Sequence, residues 1–225
     1  MLKAIIFDMD GVIVDTEYLD FQLQSDYIKS ISKTPENLTL EDFSALVGRS
    51  GRDLWDRIRY LSESDITDQE IVSNLHKIDE QKYNAQTARK LFRKDIVKII
   101  NFAKQHDIKL AVASSSPKKE ILKVLDACGI LQDFNLIVSG EDFVESKPNP
   151  AIYLHVLEIL DIAPDQALVI EDSPSGIAAG KAAEIPVLAY QENRMLVDQS
   201  QADFILENMQ AIYEKIVEIS GKATV

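Results

Sequence analysis

Lys3-Ala4-Ile5-Ile6-Phe7-Asp8-Met9-Asp10-Gly11 is the stretch on which the fold turns. Five residues of near-continuous apolar, β-rich chain run straight into two acids and a glycine. A strand of that composition is buried on both faces, as in a parallel sheet covered by helices. Gly11 gives the backbone freedom to turn away after the acids. Taken alone, an Asp-x-Asp after a strand is more often a solvated acidic turn than a site.

Working outward, four similar runs follow: Lys109–Ala113, Leu136–Val138, Ala167–Ile170 and Pro186–Tyr190. Phe204-Ile205-Leu206 reads as a last, edge strand. Helix-like segments separate them, which predicts an α/β, doubly wound (Rossmann-like), mostly parallel sheet. The helix starts are marked by Ser116-Pro117, Asn149-Pro150 and Ser173-Pro174, each a capping residue followed by a first-turn proline. Gly129 marks the end of the first of these helices.

From Asp15 to Leu91 the pattern changes. There is no convincing strand. Tyr18, Phe21, Tyr27, Ile28 and Ile31 mark one helix, and Leu54, Trp55, Ile58 and Leu61 another. The polar stretch Asp68–Arg89 predicts one longer helix with a thin apolar stripe. The organisation expected is an α/β core of residues 1–14 and 92–225 with a helical unit, 15–91, inserted after the first strand.

Composition narrows the function classes. The 225 residues carry a formal charge of −13, with no basic patch, which opposes nucleic acid or anionic membrane as partners. No apolar run approaches the roughly 20 residues of a membrane span. The apolar opening stops at Asp8, too soon for a secretory signal. The single cysteine, Cys128, rules out an internal disulfide and fits a reducing, cytoplasmic setting. A monomer is the default expectation. A protein this acidic that binds an anionic phosphate must supply local positive charge from a lysine, an arginine or a divalent cation.

Four groups at strand ends or helix starts suit that task. Asp8 and Asp10 come first. Ser114 and Ser115, ending the second strand, offer hydroxyls and free backbone N–H groups, while Ser116 reads as a helix cap. Lys147 lies in a loop stiffened by Pro148 and Pro150. Glu171-Asp172 ends another buried strand and offers hard oxygen ligands of the kind magnesium takes. In a parallel sheet such positions converge on one edge.

This ordered set resembles the four motifs of the haloacid dehalogenase-like hydrolase superfamily, nearest its phosphatase and β-phosphoglucomutase-like branch. The likeness covers essentially the whole chain, and the inserted helices look like that family's mobile cap. The resemblance implies that Asp8 is the nucleophile that becomes an aspartyl-phosphate and that Asp10 is the acid and base. It implies Mg²⁺ held by Asp8, the Asp10 backbone carbonyl and Asp172, with Glu171 beside it. Ser114 and Lys147 would bind the phosphoryl group. Val47-Gly48-Arg49-Ser50 resembles the cap loop that reaches into the site, Arg49 holding a distal substrate group, and Thr16 would lie at the hinge.

The expected activity is therefore hydrolysis of a small phosphorylated metabolite, a sugar phosphate by preference. A phosphosugar mutase is the second reading. It is weakened because Asp20 stands where the resembling mutases carry histidine. A phospho-accepting receiver switch is a distant third, opposed by the long helical insertion after the first strand. The Pro-Gly pair usual at the return from cap to core is replaced by Arg93-Lys94-Asp95.

Overall fold

The computed structural model describes residues 1–49 and 51–221. Six strands form one sheet: β1 (Ala4–Phe7), β2 (Lys109–Ser114), β3 (Leu136–Ser139), β4 (Ala167–Glu171), β5 (Val187–Tyr190) and β6 (Phe204–Leu206). Their order is β3-β2-β1-β4-β5-β6, and every pair is parallel. All six lie where the apolar runs place them, and the fold is the expected Rossmann-like one.

Successive strand residues point to opposite faces, so the apolar runs feed two cores. Ile5, Phe7, Leu110, Val112, Leu168 and Ile170 pack on one face. Helices α6 (Ile96–Gln105), α7 (Lys118–Ala127) and α10 (Met209–Ser220) cover that face. Ile6, Ala111, Ala113, Val169 and Val187 pack on the other, under α8 (Ala151–Leu160) and the alanine-rich α9 (Pro174–Ala182).

The chain leaves the sheet after β1 through a tight loop and returns beside it. Val14 bridges Phe92 in antiparallel fashion, with Asp15 N–H donating to Leu91 O at 3.0 Å and Arg93 N–H to Ile13 O at 3.0 Å. Between lie α1 (Thr16–Ile31), α2 (Leu40–Ser44), α3 (Gly51–Ser62), α4 (Asp68–Lys82) and α5 (Ala85–Leu91). Ile28, Phe43, Leu46, Ile58, Leu61 and Ile71 close a third apolar cluster there.

Two local expectations are corrected, and one short helix is added. The helix predicted over Asp68–Arg89 is two, broken at Tyr83-Asn84. Asn84 caps α5 by accepting from Thr87 N–H at 2.9 Å, an alternative to continuing the helix that asparagine makes cheap. Helix α5 then turns toward the sheet, where Ala88 and Tyr83 join the β1 face cluster. The short α2 was not foreseen. It is held by a reciprocal cap in which Thr39 Oγ1 accepts from Asp42 N–H and the Asp42 carboxylate accepts from Thr39 N–H. Finally, Ser116 does not cap α7, whose cap position is Pro117, because its hydroxyl is used elsewhere.

Candidate active site

β1 lies between β2 and β4, where strand order changes direction. This is the place a doubly wound sheet offers a ligand, outside the carboxyl ends of its strands. Registers Phe7↔Val112 and Phe7↔Ile170 put Asp8, Ala113 and Glu171 in one row. Lys147 spans that row. Its Nζ donates to Asp8 Oδ1 at 2.7 Å, to Ala113 O at 2.9 Å and to Glu171 Oε1 at 2.7 Å.

Glu171 is fully committed. Oε1 also accepts from Tyr153 OH at 2.9 Å, and Oε2 accepts from Asp172 N–H, Ser173 N–H and Ser173 Oγ. Gly176 permits this: a Cβ there would sit 1.7 Å from Glu171 Oε1. Asp172 differs. The residue is 5% exposed, and no described residue donates a hydrogen bond to its carboxylate. Carboxylate oxygens of Asp8, Glu171 and Asp172 all lie within 4.8 Å of one another.

One ammonium among three buried carboxylates leaves negative charge in surplus. Burial, with Asp8 and Glu171 opposing it, does not prevent Lys147 from staying firmly protonated. Asp8 nevertheless rises well above the usual carboxylate range, through burial and then the acids Glu171 and Asp10, despite Lys147. Asp172 rises likewise, from burial and from Glu17, Glu171 and Asp8. Lys147 is thus charged but insufficient, because two carboxylates share it. A hard cation beside Asp8 and Asp172 would relieve the surplus and give Asp172 a partner, so the donor set fits a divalent metal.

Asp10 belongs to a different network. Oδ1 accepts from Thr16 Oγ1 at 2.5 Å, and Oδ2 from Ser116 Oγ at 2.6 Å and Tyr83 OH at 3.3 Å. Lys82 Nζ, at the end of α4, stands 3.3 Å from Oδ1. Burial alone would raise this acid, but Lys82 and the Ser116 and Thr16 hydroxyls outweigh it and hold Asp10 below its ordinary value. Its carboxylate is not part of the metal-type cluster, which leaves its backbone carbonyl for any ligand role. Gly11, at φ +79°, lets the chain turn between the two networks. A Cβ on Gly11 would lie 1.8 Å from Asp172 Oδ2.

Both networks open into a cleft of about 340 Å³. Ser114 and Ser115 line it, with Ser114 Oγ accepting from Ser116 N–H at 3.1 Å. Arg49 reaches its edge but is already engaged, donating to both Asp53 oxygens at 2.7 Å and to Ala45 O at 2.6 Å. Ser50 lies outside the described residues. Asp8, Asp10, Thr16, Ser114, Lys147, Glu171 and Asp172 are brought together; Arg49 is turned to Asp53.

Sequence reasoning missed Lys82, Tyr83 and Tyr153, and gave Ser116 a different task. No motif marks the first two. They sit at the end of a polar helix, and only burial against Asp10 distinguishes Lys82 from a solvated lysine.

The model of the haloacid dehalogenase-like hydrolase family matches residues 5–190. A Thermotoga maritima protein described as a phosphorylated carbohydrates phosphatase is 31% identical over 185 residues, covering 82% of each chain. The β-phosphoglucomutase of Bacillus subtilis is 28% identical over 198 residues, covering 81% of this chain and 80% of its own. The crystal structure of β-phosphoglucomutase from Clostridium difficile superposes with a TM-score of 0.75 at 23% identity, covering 98% of each chain, and so shares the fold. With all four motif positions at one sheet edge and the family match spanning both core and inserted helices, this chain belongs to the haloacid dehalogenase-like hydrolase family.

Proposed function

We propose that the protein is a magnesium-dependent phosphatase acting on a small phosphorylated metabolite through Asp8. The observation that carries this is the opposite treatment of two neighbouring acids. Asp8 is held by Lys147 beside a metal-type cluster, while Asp10 is held apart by hydroxyls and Lys82. Environments that separate two carboxylates assign them different roles.

In this reading an Asp8 oxygen attacks phosphorus and the bond to the ester oxygen breaks. The departing alcohol takes a proton from Asp10. Water then gives a proton to Asp10, attacks phosphorus and releases phosphate, restoring Asp8. The donors around Asp10 favour its ionised form, which suits activation of water. The first step calls for some of those contacts to loosen once substrate is bound. Lys147 and Ser114 hold the transferring group, and Glu171 fixes Lys147 in place.

Asp8, Asp172 and the Asp10 carbonyl would hold Mg²⁺, which when bound offsets phosphate charge and orients the ester. Residues 15–91 act as a cap that closes the cleft, hinged where Val14 meets Phe92. The named phosphatase and mutase relatives support phosphate-ester chemistry. The mutase relative keeps a phosphosugar mutase as second reading, and Asp20 in place of histidine opposes it.

The test is turnover of p-nitrophenyl phosphate with Mg²⁺ by wild type and Asp8→Asn, with circular dichroism on both. Phosphate release by wild type and none by a folded variant is expected. Full activity in Asp8→Asn sinks the mechanism. Assaying released phosphate and isomerised product on sugar phosphates separates phosphatase from mutase.

A further inference from the structure

The cleft has two chemically different ends. The sheet end gathers Lys147, Ser114 and Ser115 for a phosphoryl group. The helical end is lined by Glu17, Asp20 and Asp79, interleaved with apolar Phe21, Leu75 and Ile78. Its two cations are already matched. Lys82 lies 3.3 Å from Asp10 and 3.9 Å from Asp20, and Arg49 is bound by both oxygens of Asp53.

A second observation points the same way. Gln24 lines this end and donates Nε2 to Asp20 Oδ2 at 2.8 Å. That bond fixes the amide orientation and leaves Oε1 buried with no partner among the described residues. A buried acceptor without a donor is costly unless a ligand supplies one. The carboxylates of Glu17, Asp20 and Asp79 and the amide oxygen of Gln24 are thus acceptors gathered at this end. Hydroxyl groups satisfy acceptors, and the C–H faces of a carbohydrate suit the apolar residues between them. A second phosphate or a carboxylate brings only acceptors and like charge.

We infer that the helical end, through Glu17, Asp20, Asp79 and Gln24, selects phosphate monoesters whose remote end is uncharged and hydroxyl-rich and rejects those carrying a second anionic group. The inference rests on the phosphatase reading and deepens it. It also bears on the mutase alternative: returning a phosphoryl group to an already phosphorylated sugar passes through a bisphosphate, whose second phosphate this end disfavours.

The test is competition against p-nitrophenyl phosphate hydrolysis with Mg²⁺, using pairs that differ in remote charge. Glucose 6-phosphate is set against 6-phosphogluconate, and fructose 6-phosphate against fructose 1,6-bisphosphate. The uncharged-ended member of each pair is expected to inhibit at concentrations at least about tenfold lower. In Asp79→Asn, and further in Asp20→Asn/Asp79→Asn, the gap narrows to within about threefold. Equal inhibition by both members, none by either, or tighter inhibition by the doubly anionic one overturns the selectivity. A gap unchanged in folded Asp79→Asn overturns the residues assigned to it. Failure of wild type to hydrolyse p-nitrophenyl phosphate brings down the phosphatase reading and this inference together. Hydrolysis that Asp8→Asn abolishes, without the gap, brings down the inference alone.

Discussion

Lys82, in the last turn of α4, sets its ammonium 3.3 Å from Asp10 at the edge of the sheet. The pair joins the inserted helices to the acid proposed to carry out proton transfer. Both side chains are nearly out of solvent, at 8% and 10% exposure. Neither is a free surface charge, and each depends on the other.

Lys82→Met is expected to raise the Asp10 pKa, since Lys82 is the largest influence holding it down against burial. The acid limb of the pH–rate profile should move to higher pH by about one unit or more. Removing one partner of a buried pair also costs about 3–5 kcal/mol. Because the folded pKa of Asp10 lies below its unfolded value of about 3.9, its stabilising contribution is present above that value. It is lost as pH falls through the folded pKa. The stability gap between wild type and variant should therefore shrink on acidification, which urea titrations at several pH values would read.

Asp8 and Asp172 behave in the opposite sense. Their folded pKa values are raised by burial and neighbouring acids, so metal-free protein loses stability as pH rises out of the ordinary carboxylate range. Mg²⁺ should reverse that loss, raising Tm at neutral pH. A stabilisation of about 2.7 kcal/mol is expected at a concentration 100 times the dissociation constant. Asp172→Asn should lose most of the Mg²⁺ effect while gaining stability in EDTA. A Tm indifferent to Mg²⁺ in wild type would contradict the metal site.

Gly11→Ala introduces a Cβ 1.8 Å from Asp172 Oδ2 at a residue whose φ is +79°. The Asp172 side chain or the loop must move. A stability loss of about 1–3 kcal/mol is expected, together with a weakened Mg²⁺ response. Preservation of both would mean the loop relaxes freely, which thermal melts with and without Mg²⁺ would reveal.

Arg93 stands in the return segment where a Pro-Gly pair was expected. It donates to Gly11 O at 3.1 Å, Asp15 Oδ1 at 2.8 Å and Tyr190 OH at 2.8 Å, and stacks 3.9 Å from the Tyr190 ring. Several directed bonds replace a stiff turn. Arg93→Lys cannot reproduce a planar fork and should cost about 1–2 kcal/mol. Asp15 keeps Arg194, at 2.8 Å, so the junction is loosened and not severed. Denaturant unfolding and limited proteolysis near residues 91–95 would measure both.

Much of this protein was legible in its chain. Buried parallel strands need apolar residues on both faces, so all six strands could be read before their neighbours were known. Asp8, Ser114, Lys147 and Glu171-Asp172 were legible for a related reason, since strand order brings successive strand ends to one edge. Contacts made across the inserted helices were not. Lys82 and Tyr83 look like any polar helix end, Ser116 like any cap, and Arg49 like a substrate clamp until Asp53 is seen to hold it. Periodicity and local propensity describe a residue relative to its own element. Which buried group faces which across two packed units depends on how those units dock, and that geometry alone decided that Asp10 is tied to Lys82.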